Sequence, residues 1–252
     1  MNLTTSAIIT QKTEWKESSY IVQCFSKDFA FISFIAHGIK KTNNPNQETI
    51  QLYNELELKL SKSPSAELYT MQNTAILNKY CSGSSYNKLV CLSAVFELLR
   101  HIIINNEDLE SVYKYVNQFL YHFKSINDNF LVYFARFTFQ LLSIINPHFL
   151  PITCGFCQSN ETEIMAIDGF NRFICEQCLQ ENILNTDYQH LDSTLKLILY
   201  HQDSFWKMIH LIQESELFIS QYKTVLNNQF NVHFNKEINL KSLKLYSHEY
   251  NL

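Results

Sequence analysis

Glycine and proline are scarce in this chain, four of each in 252 residues. So few turn-formers argue against a collagen-like repeat or a disordered, low-complexity tract. Four scattered glycines also leave no loop of the P-loop or dinucleotide-fingerprint kind, so an ATPase is not expected. G-x-S-x-G and H-E-x-x-H are absent as well, and nothing supports a hydrolase with scattered acidic ligands. The chain reads as a non-enzyme. A positive net charge is missing too: the formal value is −4, so any nucleic-acid site must be a local patch and not a global field. Through Tyr80 there are eight Lys and no Arg against seven acidic residues, so the N-terminal part is the better phosphate binder. A membrane-length apolar run is also lacking. Phe130 to Ile145 is apolar for 16 residues, about 24 Å as a helix and shorter than a bilayer core. Arg136 lies at its centre and Pro147 ends it, as in a buried helix of a soluble bundle. Residues Met1 to Thr5 carry neither a basic stretch nor a long apolar one, so no secretory signal is expected and the chain reads as cytoplasmic.

What is present is a core. Apolar residues make up 46% of the chain, with 19 Phe and 14 Tyr, enough for one large domain or two small ones. Residues 1–80 read as strands: Ala7–Thr10, Tyr20–Phe25 and Phe29–Ile39, with a polar loop over Gln11–Ser19 and another at Asn43–Asn46. Ile50, Leu52, Leu56, Leu58 and Leu60 then alternate with Gln51, Tyr53, Glu55, Glu57 and Lys59, a half-buried strand of period two. A fifth strand is expected near Ala66–Met71. Five short strands suit a small barrel, of the OB or the SH3-like type. After Tyr80 the period becomes helical, with stripes over Leu89–Ile103 and Leu109–Phe123, the second capped near Asn106–Asp108. The Phe130–Ile145 helix follows, then a cysteine-bearing insert, then helices near Leu191–Leu199 and Ser204–Tyr222.

Three of the seven cysteines, Cys24, Cys81 and Cys91, lie scattered among apolar neighbours and read as core packing. The other four form Cys154-x-x-Cys157 and Cys175-x-x-Cys178, separated by 17 residues. That spacing is the one expected of a four-cysteine zinc site. Each tight turn aims two sulfurs at one ion while its amides point at the thiolates, and Gly155 can supply unusual dihedrals. Four thiolates close the tetrahedron, so the zinc would be structural. Disulfides or unrelated core thiols are the plainer alternative.

In this setting Tyr133 to Phe137, Leu141-Leu142, Pro151, the two cysteine pairs and Asp168-Gly169-Phe170 resemble the RecO family. Ala7-Ile8-Ile9, Glu17, Ile21-Val22 and His37-Gly38-Ile39-Lys40-Lys41 are similar to that family's opening barrel. The resemblance covers roughly residues 4–245. It implies an α+β chain: a five-stranded OB-type β-barrel over 1–80, then an α-helical domain over 81–252 with a zinc-binding segment at 152–180. It also implies a mediator of DNA repair and homologous recombination. Such a protein binds single- and double-stranded DNA, anneals complementary strands, works with RecR and the C-terminal tail of single-strand binding protein, and helps load RecA.

An OB barrel grips single strands with a basic groove and aromatic platforms. The candidate DNA contacts are Lys12, Trp15 and Lys16 in the first loop, Lys27 after the second strand, and Lys40 and Lys41 after the third. Each lysine alone reads equally as a solvated charge, and Trp15 as a barrel cap. Lys40 and Lys41 follow Gly38, where the backbone can approach a phosphate. Phe29, Phe31 and Phe34 read as barrel core, His37 as a structural histidine, and Arg136 as paired with a carboxylate or a helix end. The competing reading, favoured by the net charge, is a protein-interaction scaffold of the repair machinery with little DNA binding of its own.

Overall fold

The computed structural model describes residues 2–41, 44, 46–81, 85–102, 104–150, 152–181, 187–200, 205 and 212–246. Five strands open the chain: β1 (Asn2–Trp15), β2 (Ser19–Ser26), β3 (Ala30–Ala36), β4 (Asn54–Ser61) and β5 (Tyr69–Lys79). They close into a barrel in the order β1-β2-β3-β5-β4, the five-stranded OB arrangement. β1 is long because it serves two neighbours: Asn2–Ile8 pair with β4, and Ala7–Trp15 pair with β2. A register shift between Ile9 and Gln11 lets it turn from one to the other. The polar stretch expected as a loop from Gln11 is therefore strand as far as Trp15, and Lys12 and Trp15 belong to β1. β5 is parallel to β3 only at Tyr69 and Thr70 but follows β4 throughout, so it runs to Lys79, well past the expected Met71.

Alternation fills the barrel. Val22 and Cys24 of β2, Phe34 and Ala36 of β3, and Leu56, Leu58 and Leu60 of β4 point inward and are buried. The period-two reading fails at the start of β4. Ile50 is in the core, but Leu52 is exposed, and Tyr53 and Glu55 are buried. A bulge between Glu55 and Leu56 interrupts the alternation. The side of the barrel that carries Glu55 is covered by helix, not water. Phe34 is core as expected, whereas Phe29 is exposed and Phe31 faces outward beside Phe25.

Helices α1 (Tyr86–His101) and α2 (Leu109–Phe123) pack with the barrel, as does the segment from Leu240, whose 3-10 turn spans Ser242–Leu245. Ser85 caps α1 by accepting from the Lys88 N–H. Asp108, not Asn106, sits at the start of α2 and makes no capping bond. Tyr53 stacks on Phe96 at 5.8 Å and shares a 2.8 Å hydrogen bond with Ser93. Glu55 draws the rest together. It accepts from Tyr113 and Asn117 on α2 at 2.9 and 2.8 Å, and from Asn78 and Tyr80 at 2.6 and 3.1 Å. Burial first, and then the Glu55 carboxylate, push the Tyr80 and Tyr113 phenols far above their ordinary range. Lys88 donates to the Lys124 and Ile126 carbonyls just past α2, at 2.6 and 2.8 Å.

Residues Asn127–Asn239 form the other compact unit, so packing divides the chain well after the strand-to-helix change at residue 80. Helix α3 (Phe130–Ile145) keeps the expected bounds and is buried along almost its whole length. Arg136 lies over the Phe205 ring at 4.3 Å. A small sheet, order β7-β6-β8, follows: β6 (Ile164–Asp168), β7 (Phe173–Cys175) and β8 (Tyr188–His190), with the short α4 (Glu176–Gln180) between the last two in sequence. Helices α5 (Ser193–Tyr200) and α6 (Glu216–Phe234) complete the unit. The last helix begins after Ser215, whose side chain caps it, and outruns the expected Tyr222 by three turns. Residues 204 and 206–211 of that expected helix, Ile103, and the Asn43, Pro45 and Pro151 positions lie outside the described residues. No described helix is long and apolar enough to cross a membrane.

Candidate metal centre and nucleic-acid interface

The β6–β7 hairpin and the turns at its base bring the four paired cysteines together. Cys154 and Cys157 lie on the turn before β6, Cys175 ends β7, and Cys178 lies one turn into α4. All four sulfurs fall within 4.8 Å of one another. Cys154 and Cys178 Sγ are 3.9 Å apart, and Cys157 and Cys175 Sγ are 3.7 Å apart. A disulfide needs about 2.05 Å, so the thiols are free. With metal–sulfur bonds of about 2.3 Å, a tetrahedron has edges of about 3.8 Å, and the observed separations bracket that value. The Cys175 N–H points at Cys154 Sγ at 3.5 Å. Burial would raise the Cys175 thiol, but hydrogen bonding from Thr162, the Cys178 amide and the neighbouring thiols brings it down to about 6. Position 155 is glycine for room: a Cβ there would stand 3.0 Å from that of Arg172. Its backbone needs no left-handed dihedral; that conformation falls to Gln158, φ 61°. The donor set and its spacing fit a metal ion held by four thiolates.

The hairpin tip is fixed by Asp168. Its carboxylate accepts from the Phe170 and Arg172 amides at 2.9 and 2.8 Å and from Arg172 Nε at 2.7 Å. Arg172 lies against Phe156 at 4.5 Å.

The six candidate DNA contacts fall into two groups. Strand pairing places the β1–β2 turn beside the end of β3, through Trp15↔Ser19 and Tyr20↔Ala36. Lys12, Trp15, Lys16, Lys40 and Lys41 gather there. Lys12 and Lys40 both lie over the Tyr20 ring, at 5.4 and 5.1 Å. Lys12 donates to Gln51 at 3.0 Å, and burial lowers its ammonium from its ordinary value. Lys16, at φ 54°, folds back over Trp15 at 4.2 Å. Lys40 reaches Glu14 at 2.9 Å. Gly38 is left-handed, φ 68°, and its carbonyl accepts from the Lys41 N–H, closing the basic turn. His37 is exposed, within 6.1 Å of Trp15 and 3.5 Å of Ser19.

Lys27 stands apart. It follows β2 at the opposite end, about 26 Å of strand away by rise, and pairs with Glu110 at 2.9 Å. Tyr20 was missed as an aromatic partner of the lysines, although its place at the start of a strand between Lys12 and Lys40 could have flagged it. Lys62, over Tyr69 at 5.4 Å, adds a cation on the β4–β5 loop, an element OB barrels use for oligonucleotides.

Against known proteins, residues 1–80 match the family model described as recombination protein O, N terminal. The matched span coincides with the barrel. A relative, the DNA repair protein RecO of Mesoplasma florum, is 23% identical over 190 residues, covering 73% of this chain and 70% of its own length. The architecture is that of an OB-barrel protein with a helical body and a tetracysteine ribbon. Over its barrel, and more distantly over most of its length, the chain is similar to RecO proteins.

Proposed function

We propose that this chain is a mediator of DNA repair and homologous recombination that works by binding, without covalent catalysis. It binds single- and double-stranded DNA and anneals complementary strands. With RecR and the tail of single-strand binding protein it helps load RecA, in the cytoplasm where the nucleoid lies. The observation that carries the reading is the gathering of Lys12, Lys16, Lys40 and Lys41 with Trp15 and Tyr20 at one end of an OB barrel. Cations track phosphates and aromatic faces take bases. Lys27, bound to Glu110 at the other end, is a weaker contact in this arrangement.

Zinc is the ion proposed for Cys154, Cys157, Cys175 and Cys178. When bound, it supplies a structural cross-link with no open position for chemistry. Asp168 and Arg172 then hold the hairpin tip.

A second reading rests on the carboxylates beside the lysines. Glu14 and Glu110 already pair with Lys40 and Lys27, and the formal charge is −4, as suits a scaffold that binds DNA only through partners. One assay separates the two. Annealing of complementary oligonucleotides is followed over a salt series, with and without RecR and single-strand binding protein. Salt-sensitive annealing by the chain alone supports the mediator. Activity only with the partners supports the scaffold, and none in either case rejects both.

A further inference from the structure

One face of the barrel carries more than the basic end. Strand register aligns Trp15, Ile21, Gln23 and Phe25 on the outside of β1 and β2 with Ile35, Ser33 and Phe31 on β3. The lower part of this face opens into a cleft of about 420 Å³ whose walls include Gln23, Phe31, Ser33, Leu99 and Arg100. Arg100, near the end of α1, lays its guanidinium over Phe31 at 4.7 Å. It donates to Thr10 Oγ1 at 3.0 Å and to Gln23 Oε1 at 3.5 Å. Among the described residues no carboxylate stands within ion-pair distance of it. The nearby Glu97 is committed to the Lys241 and Ser242 amides at 2.6 and 2.8 Å.

A guanidinium has five N–H donors and a flat face. Here one side of that face is taken by Phe31, and among the described residues the guanidinium makes two donor contacts. What remains is a stacking surface and an edge suited to an anion, both opening into the cleft. Trp15 stands on the same outer face, and Gln23 lies four positions along β2 from Ser19, about 13 Å by strand rise. A few nucleotides span that distance. The ligand that offers a flat ring and an anion together, on a chain that already reaches Trp15, is a polynucleotide.

We propose that the Phe31–Arg100 cleft is a second nucleotide position. A base of the strand gripped at the basic end stacks on Arg100, and a neighbouring phosphate takes the free guanidinium edge. This rests on the reading of the barrel as a single-strand binder.

The test uses the full chain and labelled oligothymidylates of two lengths, read by fluorescence anisotropy over a salt series. One oligomer is just long enough for the basic end, and the other also reaches the cleft. Arg100→Gln is expected to weaken the longer oligomer roughly tenfold, the scale of one lost stack, and to flatten its salt slope by about 0.7. The shorter oligomer should be unaffected. Arg100→Lys should keep the slope and lose affinity. Because Arg100 also ties α1 to Thr10 and Gln23, Ser33→Glu serves as a second variant: it adds an anion at the rim and should weaken only the longer oligomer. Binding of the longer oligomer unchanged from that of the unsubstituted chain, both in Ser33→Glu and in a folded Arg100→Gln, overturns the proposal while leaving the barrel reading intact. Failure of the unsubstituted chain to bind either oligomer overturns that reading instead. Unchanged oligomer binding by Arg100→Gln, with loss of binding to an acidic peptide, assigns the cleft to protein and refutes a nucleotide position.

Discussion

The barrel and the cysteine ribbon are both built from short antiparallel strands, and they are held by different forces. The barrel closes on an apolar interior in which Ala7, Val22, Cys24, Phe34, Leu56 and Leu58 are fully removed from water. The ribbon has strands of five, three and three residues. Its fully buried side chains, Cys154, Ile164, Ala166, Ile174 and Cys175, include two of the thiols. Fewer strands leave less apolar area to bury, and the cross-link proposed for the four cysteines would take over. In the barrel a cysteine is filler: Cys24 donates a hydrogen bond to the Ile32 carbonyl at 3.7 Å, and burial pushes the thiol far up. In the ribbon the cysteines gather within 4.8 Å of one another, where a bound ion would tie its strands together.

The sharpest way to break this contrast is to remove the proposed metal. Chelation, or Cys175→Ser, should abolish stoichiometric zinc, whose binding to small folds is worth on the order of 10 kcal/mol. Hydrogen exchange should then rise across residues 152–190 while the barrel amides stay protected. Protection that persists in the ribbon would show that its apolar contacts suffice. The converse probe is Leu58→Ala, expected to cost about 2–5 kcal/mol in denaturant unfolding of the barrel and to leave metal content unchanged. Glu55→Gln should cost about 2–4 kcal/mol, because an amide group would face two of the four donors and leave them unsatisfied. A loss well below 1 kcal/mol would mean the four hydrogen bonds hold nothing in place. The smallest effect belongs to the surface. Lys40→Ala with Lys41→Ala should leave stability within about 1 kcal/mol, since the Glu14 carboxylate that pairs with Lys40 is exposed to solvent. The same change should flatten the salt slope of single-strand binding by up to about 1.4. An unchanged slope would take both lysines out of the interface.

The same contrast decides what could be read from sequence. The four-cysteine cluster was legible because the cysteines of each pair are three positions apart, and a tight turn at each end is local chemistry. Barrel strands were legible wherever one face meets the core and the other meets water, as over Leu56, Leu58 and Leu60. The pattern failed where a later element covers the outer face. Glu55 reads as solvent-facing until Tyr113 and Asn117, about sixty residues on, arrive to bind it. Arg100 had no signal for the same reason: its partners Thr10 and Gln23 lie 90 and 77 residues back. Lys27 looked like its fellow lysines because spacing along a chain does not say which end of a barrel a turn occupies. The extent of β5 was hidden because its exposed, mixed-polarity residues carry no period of their own.

Glu55 also sets where this protein can be divided. A fragment cut at residue 80, where the family match and the last barrel strand end, would keep Asn78 and Tyr80 but lose both α2 donors. The outer side of Phe25, now stacked on Tyr113 at 5.9 Å, would face water. The smallest piece that keeps every donor to that carboxylate runs through α2, so the separable part of the chain is longer than the barrel its strands define.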